Sequence, residues 1–162
     1  MNTQDQPQPR TQGEAIIDVM YGIIYNDMNA RLYGRIDGFI TLINLLGGSA
    51  IFVTMLNDKN SMISGMVGLF IALMALIQQI VKPAEKKIAC NIHKEKYGQL
   101  ASRAASLNLQ EIDVELRILQ TTGPDTISSL AIPAYNQNVI SNGFPSYKLK
   151  ETIWNKIVNL LI

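Results

Sequence analysis

The chain has 162 residues, 17% of them charged, with a net charge of +1. That balance supplies no global field for a nucleic-acid partner, and the charged fraction lies below the quarter or so typical of soluble domains. Its one cysteine, Cys90, excludes an intrachain disulfide and suits a cytosolic face.

Residues 1–12, MNTQDQPQPRTQ, are polar and proline-bearing and read as a disordered tail. From Gly13, the residues Ile16, Ile17, Met20, Ile23 and Ile24, with Asp27, give a mixed amphipathic face. That face predicts a lead-in helix over 13–35, with Gly22 and Gly34 as bends.

The charge deficit is local. Gly38 to Asn57 is a run of twenty residues without a charge, and Asn60 to Val81 a run of twenty-two. A helix needs about 20 mostly apolar residues to cross a hydrocarbon core. The expectation is therefore a first transmembrane helix over 36–56, an external turn over 57–61 and a second transmembrane helix over 62–81. MISGMVGLFIALMALI carries no polar stripe of the kind a soluble bundle would need, and the first run begins too far from the N-terminus for a signal peptide.

The first run nevertheless holds Asp37, Thr41, Asn44 and Gly48 at spacings of four, three and four, which is one helix face. An unpaired amide at mid-membrane is costly and normally meets protein or water. This face therefore either bonds within the hairpin or lines a wet path. On the second run Ser64, Gly68 and Ala72 recur every four residues beside Ser61 and Gly65. Small residues at that spacing let helices approach closely in lipid and predict self-association.

Pro83 should kink or restart the helix after the second run. A helix over 84–107 would turn Ile88, Ile92, Leu100, Ala104 and Leu107 toward a partner. Asn108 with Glu111 forms a capping-box pair for a helix whose Leu109, Ile112, Leu116 and Leu119 make a cytoplasmic partner seam. Thr122-Gly123-Pro124-Asp125, Pro133 and Ser141-Asn142-Gly143 break the chain. The final segment LKETIWNKIVNLLI is amphipathic through Leu149, Ile153, Trp154, Ile157, Leu160 and Leu161. It either packs on the 84–119 helices, the plainer expectation, or lies on the inner leaflet with Trp154 at the headgroups.

Arg31 and Arg35 precede the first run; Lys82, Lys86, Lys87, Lys94 and Lys96 follow the second; the turn holds only Lys59. Basic residues stay on the cytoplasmic side, so both termini are expected inside. Chemistry has little support. His93 and Cys90 form an i, i+3 pair without a second pair to close a zinc site, and His93 among Lys94, Glu95 and Lys96 reads as a solvated surface residue. Asp113 and Glu115 do not converge. No catalytic, cofactor or metal residue is assigned, and no enzyme activity is expected.

The segment NARLYGRIDGF, two close-set spans and a tail opening KPAEKKIACNIHKEKYGQL resemble the SLATT proteins, small two-transmembrane proteins of bacterial conflict systems. The resemblance covers roughly residues 14–120, on architecture and on Arg31, Arg35, His93 and Tyr97; residues 121–162 lie outside it. It implies a membrane effector that forms a homo-oligomer and opens a pore on a cytosolic signal. The partner it implies is a sensor or nucleotide-synthase protein. The alternative is a phage or host membrane protein without a pore, for superinfection exclusion or scaffolding, working through its cytoplasmic helices. Either way the chain reads as an all-α integral membrane protein of the bacterial inner membrane. It would be a two-transmembrane hairpin with an N-terminal amphipathic helix, a cytoplasmic helical C-terminal part and lipid as its first partner.

Overall fold

A computed structural model describes residues 9–48 and 61–162, with the side chains of 47, 48, 61–65 and 67 left out. Among the described residues the structure is all-helical. Helix α1 is Gln12–Gly48, α2 Ser61–Val81, α3 Pro83–Arg103, α4 Leu109–Thr121, α5 Ala131–Ser141 and α6 Ile153–Leu160. Short 3₁₀ turns cover Ser128–Leu130 and Pro145–Tyr147.

Helix α1 has 37 residues and, at about 1.5 Å per residue, runs roughly 55 Å. Thr11 opens it with a reciprocal cap: its N–H donates to Glu14 Oε2 at 2.7 Å and its Oγ1 accepts from the Glu14 N–H at 3.3 Å. Arg10 pairs with Asp18 and Asp113, and the Gln12 amide donates to the carbonyls of Ala104 and Leu107. The end of the expected disordered tail is thus pinned to the fold; residues 1–8 lie outside the described ones.

The helix runs unbroken through both glycines, and both serve close approach. A Cβ at Gly22 would overlap the Tyr97 ring, and one at Gly34 would come within 3.3 Å of Lys87 Cδ. α1 is continuous, and α2 followed by α3 runs antiparallel to it. The register places Asn44 against Gln78, Gly34 against Lys87, Asp27 against Lys94 and Gly22 against Tyr97.

One residue, Lys82, separates α2 from α3. Lys82 is left-handed, with φ 49° and ψ 55°, and Pro83 takes the first position of α3, where its missing N–H is harmless. The Lys82 N–H still donates to the Gln78 carbonyl at 3.0 Å, and the Lys82 carbonyl accepts from Lys86 at 3.1 Å. The restart expected at Pro83 is therefore present, set by Lys82 as much as by the proline.

Three clusters of buried residues hold the bundle, the smallest of them Ala30, Tyr33 and Cys90 between α1 and α3. Ala15 and Val19 of α1, Tyr97, Leu100 and Ala104 of α3, and Ile112 and Leu116 of α4 form one, with Leu107, Leu109 and Leu119 packed on it. The seam Leu109, Ile112, Leu116, Leu119 is thus internal. The expected docking surface faces α1 and α3 of the same chain, because a four-residue apolar stripe finds its partner within reach. Asn108 and Glu111 cap α4 reciprocally, as expected. Ile88 and Ile92 stay exposed.

The second core joins Met28 and Leu32 of α1 to Leu130, Ala134 and Val158. Pro133 falls in the first turn of α5 rather than between helices. α6 docks on α5 and the 3₁₀ turn through Asn155 and Val158, not on the 84–119 helices, and it leaves Ile153, Trp154, Ile157, Leu160 and Leu161 exposed. The expected packing of that apolar face is corrected: its polar neighbours Asn155 and Asn136 make the contacts. Asn155 donates to Ser129 O at 2.6 Å, and Asn136 exchanges bonds with the Leu149 backbone at 2.9 and 2.8 Å.

Candidate functional site

The distal half of the α1–α2 pair turns apolar side chains outward: Leu45 is 71% exposed, Leu69 65% and Ile80 71%, with Phe39, Leu42, Leu73 and Leu76 beside them. Among the described residues one helical stretch, Gly68–Arg103, is long and apolar enough to cross a membrane, and only 6% of its apolar window is buried. A soluble core helix would be covered, and this window is bare. Gly68 and Ala72 lie on its outer surface, with nothing within 4 Å of a Cβ built on Gly68. These two members of the small stripe are thus uncovered among the described residues. Ser61, Ser64 and Gly65 fall among residues whose side chains lie outside the description, as does Gly48.

Between the helices sits a polar cluster. The Asn44 amide donates to Gln78 Oε1 at 2.9 Å. The Gln78 amide in turn points at Asp37 Oδ1 at 3.3 Å and Thr41 Oγ1 at 3.4 Å, two long contacts that it shares. Asp37, Thr41 and Asn44 thus converge on one glutamine. Asn44 Oδ1 is buried with no partner, so the amide is half satisfied. Sequence reasoning singled out the α1 face but missed Gln78, although the same rule applies to it: an amide in ALIQQIV needs a partner. Of the two adjacent amides, Gln78 is turned toward α1 and Gln79 is exposed.

A second polar feature lies in the bundle. Tyr21, Gly22, Tyr25, Asn26, His93 and Tyr97 line a cleft of about 180 Å³ against the 119–126 segment. Tyr21 and Tyr25 stack, with ring centroids 5.6 Å apart. His93 is 6% exposed, which overturns the expectation of a solvated side chain: Gly22 and the loop after α4 let the bundle close over it. Burial and Lys96 hold the imidazole below its ordinary value of 6.5, against a hydrogen bond with the Thr122 backbone that raises it. Asn26 Oδ1 and His93 Nδ1 have no protein partner. Burial pushes the Tyr21 phenol up to about 12 and the Cys90 thiol up to about 11, so neither is reactive near neutrality. Among the described residues no three His, Cys, Asp or Glu side chains gather to hold a metal. Asp113 faces Arg10, and Glu115 faces Arg103 at 2.7 Å.

No family model, no curated protein and no solved structure matches the chain. The functional reading therefore rests on the geometry above.

Proposed function

We propose that the chain is a two-span protein of the bacterial inner membrane, crossing with residues 36–56 and 62–81 and keeping both termini in the cytoplasm. In this reading it is an effector that self-associates and opens a conducting path when a cytosolic sensor or nucleotide-synthase partner signals. The observation that carries it is the Gln78 hub, which gathers Asp37, Thr41 and Asn44 between two helices whose other faces are apolar and exposed. Buried amides at such a place must be bonded. With the hub closed, Asn44 and Gln78 are half-buried and bonded to each other, and the single chain conducts nothing. With it open, those groups need water or a neighbouring copy.

Two features support a link from signal to hub. α1 is one helix from the cytoplasmic core to the polar cluster, and the Lys82–Pro83 joint lies one turn from Gln78. The outward Gly68 and Ala72 give neighbouring copies a place to approach.

A second reading is favoured by the same hub. A non-conducting protein for superinfection exclusion or scaffolding would use Asn44–Gln78 only to fasten its hairpin, at about 1 kcal/mol. Membrane potential in bacteria expressing the chain separates the two, beside the Thr41→Leu, Asn44→Leu double variant at matched membrane levels. The effector reading expects depolarisation by the parent, with its activating partner, and none by the variant. Equal depolarisation by both would remove these residues from any pore, and silence of the parent with its partner present would favour the scaffold.

A further inference from the structure

At the foot of the apolar hairpin α1 and α3 part to form an open cleft of about 490 Å³, lined by Asp27, Arg31, Arg35, Lys87, Asn91 and Lys94. Four cations meet one carboxylate there. Asp27 already binds Arg31 at 2.5 Å and Lys94 at 3.1 Å. Burial raises its pKa, but the Lys94 hydrogen bond and the Arg31 guanidinium outweigh that and leave the carboxyl ionised below its ordinary range. Among the described residues Arg35 and Lys87 face no carboxylate. The site is shaped as well as charged: the bare backbone of Gly34 lets the Lys87 stem lie across α1, where a Cβ would meet it at 3.3 Å.

Depth decides what such a site meets. Arg35 lies one helical turn before Phe39, where the run of exposed apolar residues in the distal half of α1 begins, and Lys87 lies two turns past Ile80, the last exposed apolar residue of α2. At about 1.5 Å per residue these are displacements of roughly 6 and 10 Å along the helices, comparable to the headgroup layer of a bilayer, about 5–8 Å on each side. Ile162 also borders the cleft, which brings the C-terminal side of α6, where Leu160 and Leu161 are exposed, near it.

We infer that this cleft binds the phosphate of an anionic lipid headgroup from the cytoplasmic leaflet. Arg35 presents a planar fork that matches two phosphate oxygens, Lys87 adds a compact charge from the facing helix, and Asn91 contributes a neutral donor. Basic pockets between helices on the cytoplasmic side recognise such headgroups. The inference rests on the two-span reading above.

The test uses the full chain in nanodiscs of phosphatidylcholine with a minor fraction of phosphatidylglycerol, followed by native mass spectrometry of the lipid it retains. The parent should keep phosphatidylglycerol over phosphatidylcholine. Arg35→Gln with Lys87→Gln should weaken that preference about tenfold or more, whereas Arg35→Lys with Lys87→Arg should keep most of it. Equal retention of both lipids by the parent, or an unchanged preference in the glutamine pair, overturns the assignment. So does inorganic phosphate that displaces the lipid at matched concentration, which would make this a site for a free anion. Membranes are first washed with alkaline carbonate. A chain released by the wash overturns the two-span reading itself, whereas a resistant chain without lipid preference overturns the cleft alone.

Discussion

Gly22 and His93 are set by what closes over them. Gly22 lies under the Tyr97 ring, so Gly22→Ala forces the ring or the helix aside. It should lower stability by about 1–3 kcal/mol, read by thermal unfolding in detergent, and Tyr97→Leu in the same chain should relieve most of that loss. His93 makes stability depend on pH. Its folded pKa is depressed, so the unfolded chain binds more protons between that value and 6.5. Stability is whole above 6.5 and is lost as pH falls through the folded value. Unfolding temperature followed over mildly acidic pH should show this decline, and His93→Gln should flatten it. Neither role was legible in the sequence. A glycine inside a helical pattern suggests a bend as readily as a close contact, and a histidine among lysines reads as solvated until a loop from thirty residues downstream is seen to cover it.

At the scale of elements the sequence was more informative. The second uncharged run, the restart at Pro83 and the Asn108–Glu111 cap all depend on local chemistry, and α2, α3 and α4 begin and end close to where that chemistry puts them, whereas the end of the first run lies outside the described residues. Choices of partner were less legible. The stripe Leu109–Leu119 could satisfy itself against any apolar surface, and the chain's own α1 and α3 supply one. Beyond residue 121 the packing signal lies in asparagines rather than leucines. Asn29 accepts from Ile127 N–H at 2.7 Å and Asn155 donates to Ser129 O, each fastening a non-α segment that periodicity does not reveal, while Asn138 donates to Ile17 O at 3.0 Å and ties α5 to α1. The α1–α2 contact gives a direct prediction. Gln78→Leu alone strands the Asn44 amide and should cost about 1–3 kcal/mol, whereas Gln78→Leu with Asn44→Leu should recover most of it. A double-mutant cycle on reversible unfolding in bicelles reads the coupling, and additive losses would deny that the two amides bond.

For the whole molecule, a covered helical bundle and a bare apolar hairpin share one 37-residue helix. The bundle buries His93, Cys90 and the α4 seam, while the hairpin leaves Leu45, Leu69 and Ile80 to its surroundings. This asymmetry underlies the proposal that the first half stands in the cytoplasm and the second in lipid. The most direct test is accessibility of single cysteines in a Cys90→Ser background. Asp58→Cys, in the expected external turn, and Lys150→Cys, in the bundle, would each be treated with a membrane-impermeant maleimide in spheroplasts and after lysis. The account predicts that Asp58→Cys is labelled in intact spheroplasts and Lys150→Cys only after lysis. Labelling of Lys150→Cys in intact spheroplasts, or protection of Asp58→Cys until lysis, would contradict it.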